Sequence, residues 1–326
     1  MNIVNFSAKY IPQEYTLEGI YKQIEQAGRT CYKSEDKITK DSAKAFVERM
    51  IISGHLSMLE HGTVYLTIPL FEWRDRQEFD NCIYSTNPYC HVILEDEDFH
   101  HMRGNVHITT NYRVIIENEL SDDLKFRCEP TEHHIKRYTI KLTTNIGVTR
   151  EGNRHRQSIA EESTRYCNYS KDKFGNNIQY VKPVWINDND IDFIPKLENL
   201  GILQELIGDI ISDYKHNDIC YCNNPINIYG TAIKFAEICY HLLIKSGWTP
   251  QQAREVLPLA TKSDVVYTKS EDEWKHFFDL RLLGITGKPH PNMQHCAALI
   301  INEFYNNKVY IPCYEVYHCY ASKLKL

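Results

Sequence analysis

The sequence lacks the features that define several common classes of protein. Its 326 residues carry a formal net charge of −6, whereas domains that mainly grip nucleic acid usually have a basic excess. No apolar run approaches the roughly 20 residues that a membrane helix needs. The first residues, MNIVNFSAKY, lack the basic and apolar regions of a secretory leader. We therefore expect a soluble, cytoplasmic protein that binds neither nucleic acid nor a membrane.

Cysteine pairs at metal-binding or redox spacing are also missing. The eleven cysteines are scattered, and one residue separates the closest two, Cys220 and Cys222, so no CxxC motif is present. An odd number of cysteines in a chain of this length is typical of free thiols in a reducing compartment. The hydrophobic content of 42% permits a sizeable core.

Hydrophobic periodicity predicts a mixture of helices and strands. Alternating residues predict strands over 63–68 and 137–144. The stretch 70–136 between them is polar, aromatic and charged, and we predict that it is an insertion with short strands around 106–116. The whole chain, 1–326, is then a single domain. Apolar residues at helical spacing predict helices over 40–53, 197–214, 231–244, 272–280 and 293–305, and Thr249-Pro250 indicates the start of another.

The densest concentration of chemically active side chains lies in residues 150–169, REGNRHRQSIAEESTRYCNY, which contain four arginines. Guanidinium groups bind phosphate bidentately, so Arg154-His155-Arg156 suits one diphosphate and Ser163-Thr164-Arg165 another phosphate. Glu151 and Glu161 would orient sugar hydroxyls or the edge of a base. A solvated charged turn is an equal alternative on composition alone.

Three further segments are weak when taken singly. Residues 54–61, GHLSMLEH, combine two histidines, a serine and a glutamate, but their spacing is a loose match to zinc, so we predict no metal site. Plain capping residues are the alternative there. Residues 253–258, AREVLP, contain one arginine that an exposed helix would also explain. Residues 277–281, FFDLR, with 290–294 downstream, are by themselves typical of an amphipathic helix and its exit loop.

Together and in this order, the four segments resemble the flavin-dependent thymidylate synthase family, ThyX. The family motif RHR followed by S-x-R-Y is matched by Arg154-His155-Arg156 and Ser163-Thr164-Arg165-Tyr166. The upstream H-x-[ST]-x-[FL]-E-H motif is matched by His55, Ser57, Leu59, Glu60 and His61. The motifs A-R-x-x-L-P and [ND]-L-R are matched by Ala253, Arg254, Leu257 and Pro258, and by Asp279, Leu280 and Arg281.

The resemblance implies an α+β fold with a central β-sheet flanked by helices, assembled as a homotetramer whose active sites are each built from several subunits. It implies FAD as cofactor, with NADPH and methylenetetrahydrofolate as co-substrates and dUMP as the nucleotide. The methylene group would pass to C5 of dUMP and be reduced, giving dTMP. The family needs no cysteine nucleophile.

The resemblance also implies roles for individual residues. FAD contacts would come from Ser57, Arg154, His155, Arg156, Glu161, Asp279, Leu280 and Arg281. Contacts to dUMP would come from Glu151, Arg154, Glu161, Ser163, Thr164, Arg165, Arg254 and Gln294. The residues implicated in catalysis would be Gln294, Arg165 and His55, the last on the folate side of the flavin.

The sequence departs from the family pattern at three places. The spacer between Arg156 and Ser163 is one residue shorter than usual, Gln294 stands where the family has an arginine near the uracil ring, and 70–136 is long. A glutamine hydrogen-bonds but carries no charge. Three alternatives therefore stay open: a relative with altered pyrimidine-nucleotide chemistry such as hydroxymethylation, a nucleotide- or flavin-binding module without turnover, and a metal-binding structural protein.

Overall fold

The computed structural model describes residues 2–74, 82–98, 103–156, 158–171, 177–189, 197–216 and 224–324. Gln157, Cys220 and Cys222 lie outside the described residues. The strands are β1 Asn2–Val4, β2 Ser7–Ile11, β3 Thr63–Pro69, β4 His91–Asp98, β5 Arg103–Asn111, β6 Arg137–Asn145, β7 Ser158–Glu161, β8 Gln179–Val181 and β9 Lys262–Ser270. The helices are α1 Leu17–Cys31, α2 Ser42–Ile52, α3 Leu70–Arg74, α4 Ile83–Thr86, α5 Tyr112–Glu117, α6 Ile146–Gly152, α7 Leu200–His216, α8 Pro225–Lys245, α9 Pro250–Ala253, α10 Glu271–Phe278, α11 Pro291–Asn306 and α12 Tyr314–Lys323.

A four-stranded antiparallel sheet, in the order β2-β6-β9-β7, occupies the middle of the fold. On one face, side chains of β6 and β9 pack with Trp274, Phe277 and Phe278 of α10 and with Phe304 of α11. Val266 of β9 points to the other face, where it packs with α1, α2 and β3. Strand β9 is therefore buried on both faces and carries residues toward two cores.

The remaining strands form two smaller sheets. Strands β3, β5 and β4 make an antiparallel sheet with β5 in the middle, and β1 pairs in parallel with β8. A third cluster of apolar residues, including Tyr180 on β8 and Tyr240 on α8, packs beneath α8. In the part of the chain that the structure describes, we find no helix long and apolar enough to cross a membrane.

The structure confirms the mixed α+β class and most predicted elements. The strands predicted over 63–68 and 137–144 are β3 and β6, and Gly54, at φ +71°, follows the end of α2. The prediction of strands as far as residue 116 was wrong, because β5 ends at Asn111, whose side chain caps α5 by accepting from Val114 N. The acidic segment that begins at Glu95 is part of strand β4.

The segment 70–136 contributes strands β4 and β5, which extend the sheet that starts with β3. Its apolar residues Ile108 and Ile115 are fully buried in the same cluster as Ile20 and Ile24 of α1. The segment is therefore built into the body of the protein through pairing and packing. That it is an insertion relative to the family stays a prediction.

Candidate functional site

The arginine-rich segment begins where α6 gives way to a 3₁₀ turn, Asn153–His155. Asn145 caps the start of α6 by accepting a hydrogen bond from Val148 N at 2.9 Å. The turn ends at Arg156, which adopts the left-handed conformation with φ 52°. A non-glycine residue in that region is uncommon, and strained residues of this kind cluster at active sites and ligand clamps.

Gly152 lets this turn lie directly against β9. The Tyr267 hydroxyl donates to Asn153 Oδ1 at 3.1 Å, and a Cβ added to Gly152 would lie 2.2 Å from that hydroxyl oxygen. We expect Gly152→Ala to lower the free energy of unfolding by about 1–3 kcal/mol through overpacking. Gly208→Ala is the matched control, because nothing lies within 4 Å of its added Cβ in α7. Chemical denaturation checks both, and a Gly152→Ala variant as stable as the wild type would contradict this packing.

His155 is held by an arginine from a distant part of the chain. Arg281 Nε donates to His155 Nε2 at 3.1 Å, and Arg281 Nη1 lies 3.6 Å from a Glu151 carboxylate oxygen. Burial, aided by the positive charges of Lys269 and Arg281, lowers the pKa of His155 to about 3. The imidazole is therefore neutral, accepts at Nε2 and carries its proton on Nδ1. The structure thus brings the RHR and DLR motifs together.

Three arginines of the arginine-rich segment 150–169 have guanidinium groups that point to solvent. Arg150, Arg154 and Arg156 are exposed, and among the described residues none of them forms a hydrogen bond or an ion pair through its side chain. Cations held beside one tight turn and left without carboxylate partners suit the oxygens of a diphosphate. The donor set therefore fits the phosphates of a dinucleotide such as FAD.

Glu161, at the end of β7, is oriented only by neutral donors. Its carboxylate accepts from Thr149 Oγ1 at 2.6 Å, Asn153 Nδ2 at 2.9 Å and Ser263 Oγ at 3.1 Å. The adjacent Glu162 is buried and neutralised by lysines, with Lys262 Nζ at 2.8 Å and Lys33 Nζ at 3.2 Å. Among the described residues, Glu161 thus has hydroxyl and amide donors but no lysine or arginine partner, as a group that orients a ligand would.

A second cluster forms where the turn after β7 meets α9. Arg254 Nη1 donates to Thr164 Oγ1 at 3.4 Å, and Arg165 Nε donates to Gln251 Oε1 at 2.9 Å. Ser163 Oγ accepts from the backbone N–H of Arg165 at 3.3 Å. Two arginines and two hydroxyls therefore lie together, although they come from segments about 90 residues apart.

The segment that carries Arg281 is a π-helical turn, Asp279–Leu283, between α10 and α11. Asp279 accepts from the Tyr317 hydroxyl at 2.6 Å and from Lys275 Nζ at 2.8 Å, so its carboxylate is engaged within the protein. Gln294 Nε2 donates to the Leu282 carbonyl at 2.8 Å. Both side chains therefore support this turn, and Leu280 within it is half-buried.

His55 and Ser57 are exposed on the 3₁₀ turn before β3. The Tyr32 hydroxyl lies 3.1 Å from His55 Nδ1, and the ring of Tyr32 contacts that of Tyr166 at 5.8 Å between centroids. These contacts bring His55 toward the second cluster. Arg137 ties the same 3₁₀ turn to β7, because its Nη2 donates to both Glu60 O at 3.1 Å and Ser158 Oγ at 2.9 Å.

Several residues around the site could not be identified from the sequence. Thr149, Ser263, Tyr267 and Tyr317 hold site side chains, but a single hydroxyl on a helix or strand has no sequence pattern that marks it. Asn153 lies inside the arginine-rich segment, and its place among those arginines is the one signal in the sequence that points to it.

The resemblance seen in the motifs is confirmed by a family model, Thymidylate synthase complementing protein, which matches residues 119–307. That range includes three of the four segments and omits only the one around His55. No curated protein matches the chain in sequence.

Solved structures give weaker similarities. A UMP/dUMP methylase PolB from Streptomyces cacaoi, bound with 5-Br dUMP, is 14% identical with a TM-score of 0.39 and covers 94% of this chain and 93% of its own. Thymidylate Synthase X from Helicobacter pylori, with FAD and dUMP, is 13% identical with a TM-score of 0.36 and covers 97% and 98%. Family membership rests on the family model and not on these low TM-scores.

Proposed function

Since the chain belongs to the Thymidylate synthase complementing protein, or ThyX, family, we propose that it is a flavin-dependent thymidylate synthase. It would transfer the methylene group of methylenetetrahydrofolate to C5 of dUMP, with FAD as cofactor and NADPH as the source of the reducing equivalents. The observation that carries the proposal is the joining of His155 to Arg281, which leaves Arg154 and Arg156 exposed beside them.

The first cluster, formed by Arg154, His155, Arg156 and Arg281, would hold FAD. Arg154 and Arg156 would bind the diphosphate, while Arg281 keeps His155 neutral and in one orientation. When bound and reduced, the flavin supplies the electrons that convert the transferred methylene into a methyl group. The remaining FAD contacts are proposed to come from Ser57, Glu161, Asp279 and Leu280, with Asp279 and Leu280 acting through the turn that presents Arg281.

The second cluster would hold dUMP. Ser163, Thr164, Arg165 and Arg254 supply two cations and two hydroxyls, which are suited to a phosphate monoester. Glu151, Arg154 and Glu161 would orient the sugar and base, and His55 would lie on the folate side. Arg165 would stabilise negative charge that develops on the uracil ring. The completion of each site by neighbouring subunits of a homotetramer is part of the same proposal.

The thiols near the site agree with chemistry that needs no cysteine nucleophile. Burial, together with the charges of Glu161 and Glu162, raises the pKa of Cys31 to about 11. Burial next to Glu162 raises the pKa of Cys167 to about 12. Because the thiolate is the nucleophilic form, both groups are poorly reactive at neutral pH.

Replacing Arg254 by alanine should weaken dUMP binding by about tenfold or more, since a hydrogen bond from a charged donor is worth about 1.5–3 kcal/mol. FAD affinity should change little, because Arg254 contacts the second cluster. Isothermal titration with dUMP and fluorescence titration with FAD separate the two effects. Equal losses for both ligands would show instead that Arg254 supports the fold.

A relative with altered pyrimidine chemistry is the second candidate, and Gln294 is the observation that favours it. Its amide is neutral and already donates to the Leu282 carbonyl. If the missing charge limits methylation, Gln294→Arg should raise the rate of dTMP formation, because one electrostatic donor in such a site is worth on the order of 10²–10³ in rate. Gln294→Lys is the control, because lysine supplies a positive charge without the planar guanidinium group of arginine. Robust wild-type turnover that neither variant changes would contradict a role for this charge.

A further inference from the structure

A cluster of two histidines and a glutamate lies on the three-stranded sheet, apart from the residues assigned to nucleotide and flavin. Glu95 on β4 pairs with Asn105 of β5, and Ile93 pairs with His107, so Glu95 and His107 share a face as diagonal neighbours. The segment before β6 adds His133. One ligand atom from each of the three side chains lies within 4.8 Å of the other two. We propose that Glu95, His107 and His133 form a binding site for a divalent transition-metal ion, with Zn²⁺ as the best fit.

The distances between the nitrogen and oxygen atoms of the three side chains are short enough for all three to bind one ion. His107 Nε2 lies 2.8 Å from one carboxylate oxygen of Glu95, and His133 Nε2 lies 3.5 Å from the other. The rings of His107 and His133 stack at 4.8 Å between centroids. An ordinary histidine–glutamate pair would need only one imidazole. The presence of a second imidazole, that of His133, directed at the same carboxylate points to a cation shared by all three side chains.

The surroundings of His107 are those of an oriented metal ligand. Its side chain is only 3% exposed, and its Nδ1 lies 3.3 Å from Thr67 Oγ1 on β3. Without an ion, His107 Nε2–H donates to Glu95; with an ion bound at Nε2, the ring proton would lie on Nδ1 and be directed to this hydroxyl. Ligating histidines usually have such an outer hydrogen-bond partner, which fixes the tautomer and the ring.

His134 holds the loop that presents His133. The backbone N–H of Thr131 donates to His134 Nδ1 at 3.1 Å, so His134 Nε2 carries the proton and donates to the Leu66 carbonyl at 3.1 Å. Both ring nitrogens of His134 are thus used within the protein. The neighbouring His133 remains partly exposed and directed to Glu95.

Two imidazoles and one carboxylate are the donor types that zinc takes in three-ligand sites, with water in the fourth position. Magnesium and calcium favour sites built wholly from oxygen. The ion would join β4, β5 and the segment before β6, and would therefore stabilise this sheet. Sequence spacing did not reveal the site, because its ligands lie 12 and 26 positions apart.

The test is zinc binding by the full-length chain, freed of metal with a chelator and titrated with Zn²⁺ in competition with a chromophoric indicator. We expect one zinc per chain. Glu95→Gln and His133→Ala should each weaken zinc binding by at least about tenfold, since loss of even an outer-shell partner typically costs 10–100-fold. Glu48→Gln, on the exposed face of α2, and His318→Ala, on α12, are the matched controls that should retain full affinity.

Cobalt(II) gives a second readout that does not depend on stability. Its visible absorption in the wild type should indicate nitrogen and oxygen ligands in a four-coordinate site, and both ligand variants should lose it. No zinc bound by the wild type, or ligand variants that bind zinc as tightly as the two controls, would overturn the proposal. FAD and dUMP binding are measured separately, so failure here leaves the proposed function untouched.

Discussion

Replacing Arg281 by alanine should lower the affinity for FAD by about ten- to a hundredfold, because a hydrogen bond from a charged donor contributes about 1.5–3 kcal/mol. Arg281 donates to His155 Nε2 and lies beside the Glu151 carboxylate, so its removal frees both groups of the first cluster. The half-buried acceptor on His155 would then lose its donor. The loss should therefore exceed that of an exposed arginine such as Arg154.

Flavin fluorescence and the FAD content of the purified protein measure this effect. Arg281→Lys keeps the charge but not the planar fork, so we expect an intermediate affinity. Arg127→Ala is the matched control. Arg281 Nη2 donates to the Glu151 carbonyl at 3.4 Å, and Arg127 likewise donates to a backbone carbonyl, that of Tyr15, but lies away from the cluster. Full FAD occupancy in a folded Arg281→Ala protein would show that the pairing of the two motifs does not build the flavin site.

Lys269→Met should raise the free energy of unfolding by about 1–3 kcal/mol at neutral pH, because it removes a buried charge that has no hydrogen-bond partner among the described residues. Lys269 is 0% exposed, and its Nζ lies near the faces of the Tyr267 and Trp274 rings, at 5.4 and 5.9 Å from their centroids. Burial lowers the pKa of Lys269 from 10.5 to about 7. Methionine fills nearly the same volume without a charge.

The free energy of unfolding should rise with pH because of Lys269. Since the folded pKa lies below the unfolded one, the unfolded chain binds more protons between about pH 7 and 10.5, and stability rises with pH in that window. The slope approaches about 1.4 kcal/mol for each pH unit, and Lys269→Met should lack it. Denaturation at pH 7, 8 and 9 compares the two proteins.

Lys234→Met provides the contrast for this prediction. Lys234 is also largely buried but pairs with Glu237 at 2.9 Å and with Glu198 at 2.9 Å. Its removal takes the lysine charge away from the buried Glu237 carboxylate and should destabilise the protein. Destabilisation by Lys269→Met as well would mean that Lys269 makes a favourable interaction in the folded protein.

Amphipathic segments were predictable because one of their faces is apolar and the other polar. Strand β3 alternates apolar and other residues in sequence although both of its faces are largely buried, and α11 has apolar residues at helical spacing. The predicted helix start at Thr249-Pro250 is that of α9, where Thr249 and Gln252 form a capping box. Strand β9 escaped prediction because nearly all of its residues are buried, including Lys269, so no alternation appears in the sequence. Strand β4 was not predicted because its sequence is charged. In the structure Glu95 of this strand pairs with His107 across the sheet.

The candidate site was likewise predictable only in part. Motifs identified Arg154, Arg254 and Arg281 as candidates, since clustered guanidinium groups have a clear chemical use. No local pattern predicts that Arg281 reaches His155 across 126 positions, or that Arg254 reaches Thr164 across 90. Such pairings depend on the course of the chain between the segments.

Formation of dTMP by the purified full-length protein is the most direct test of the proposed function. The protein would be supplied with dUMP, methylenetetrahydrofolate, NADPH and FAD, and the product separated by chromatography, with tritium release from C5-labelled dUMP followed in parallel. We predict that dTMP and tritium release both appear, that both require FAD, and that Arg254→Ala reduces both. A protein that binds FAD and dUMP yet yields neither dTMP nor released tritium would contradict the assignment as a thymidylate synthase.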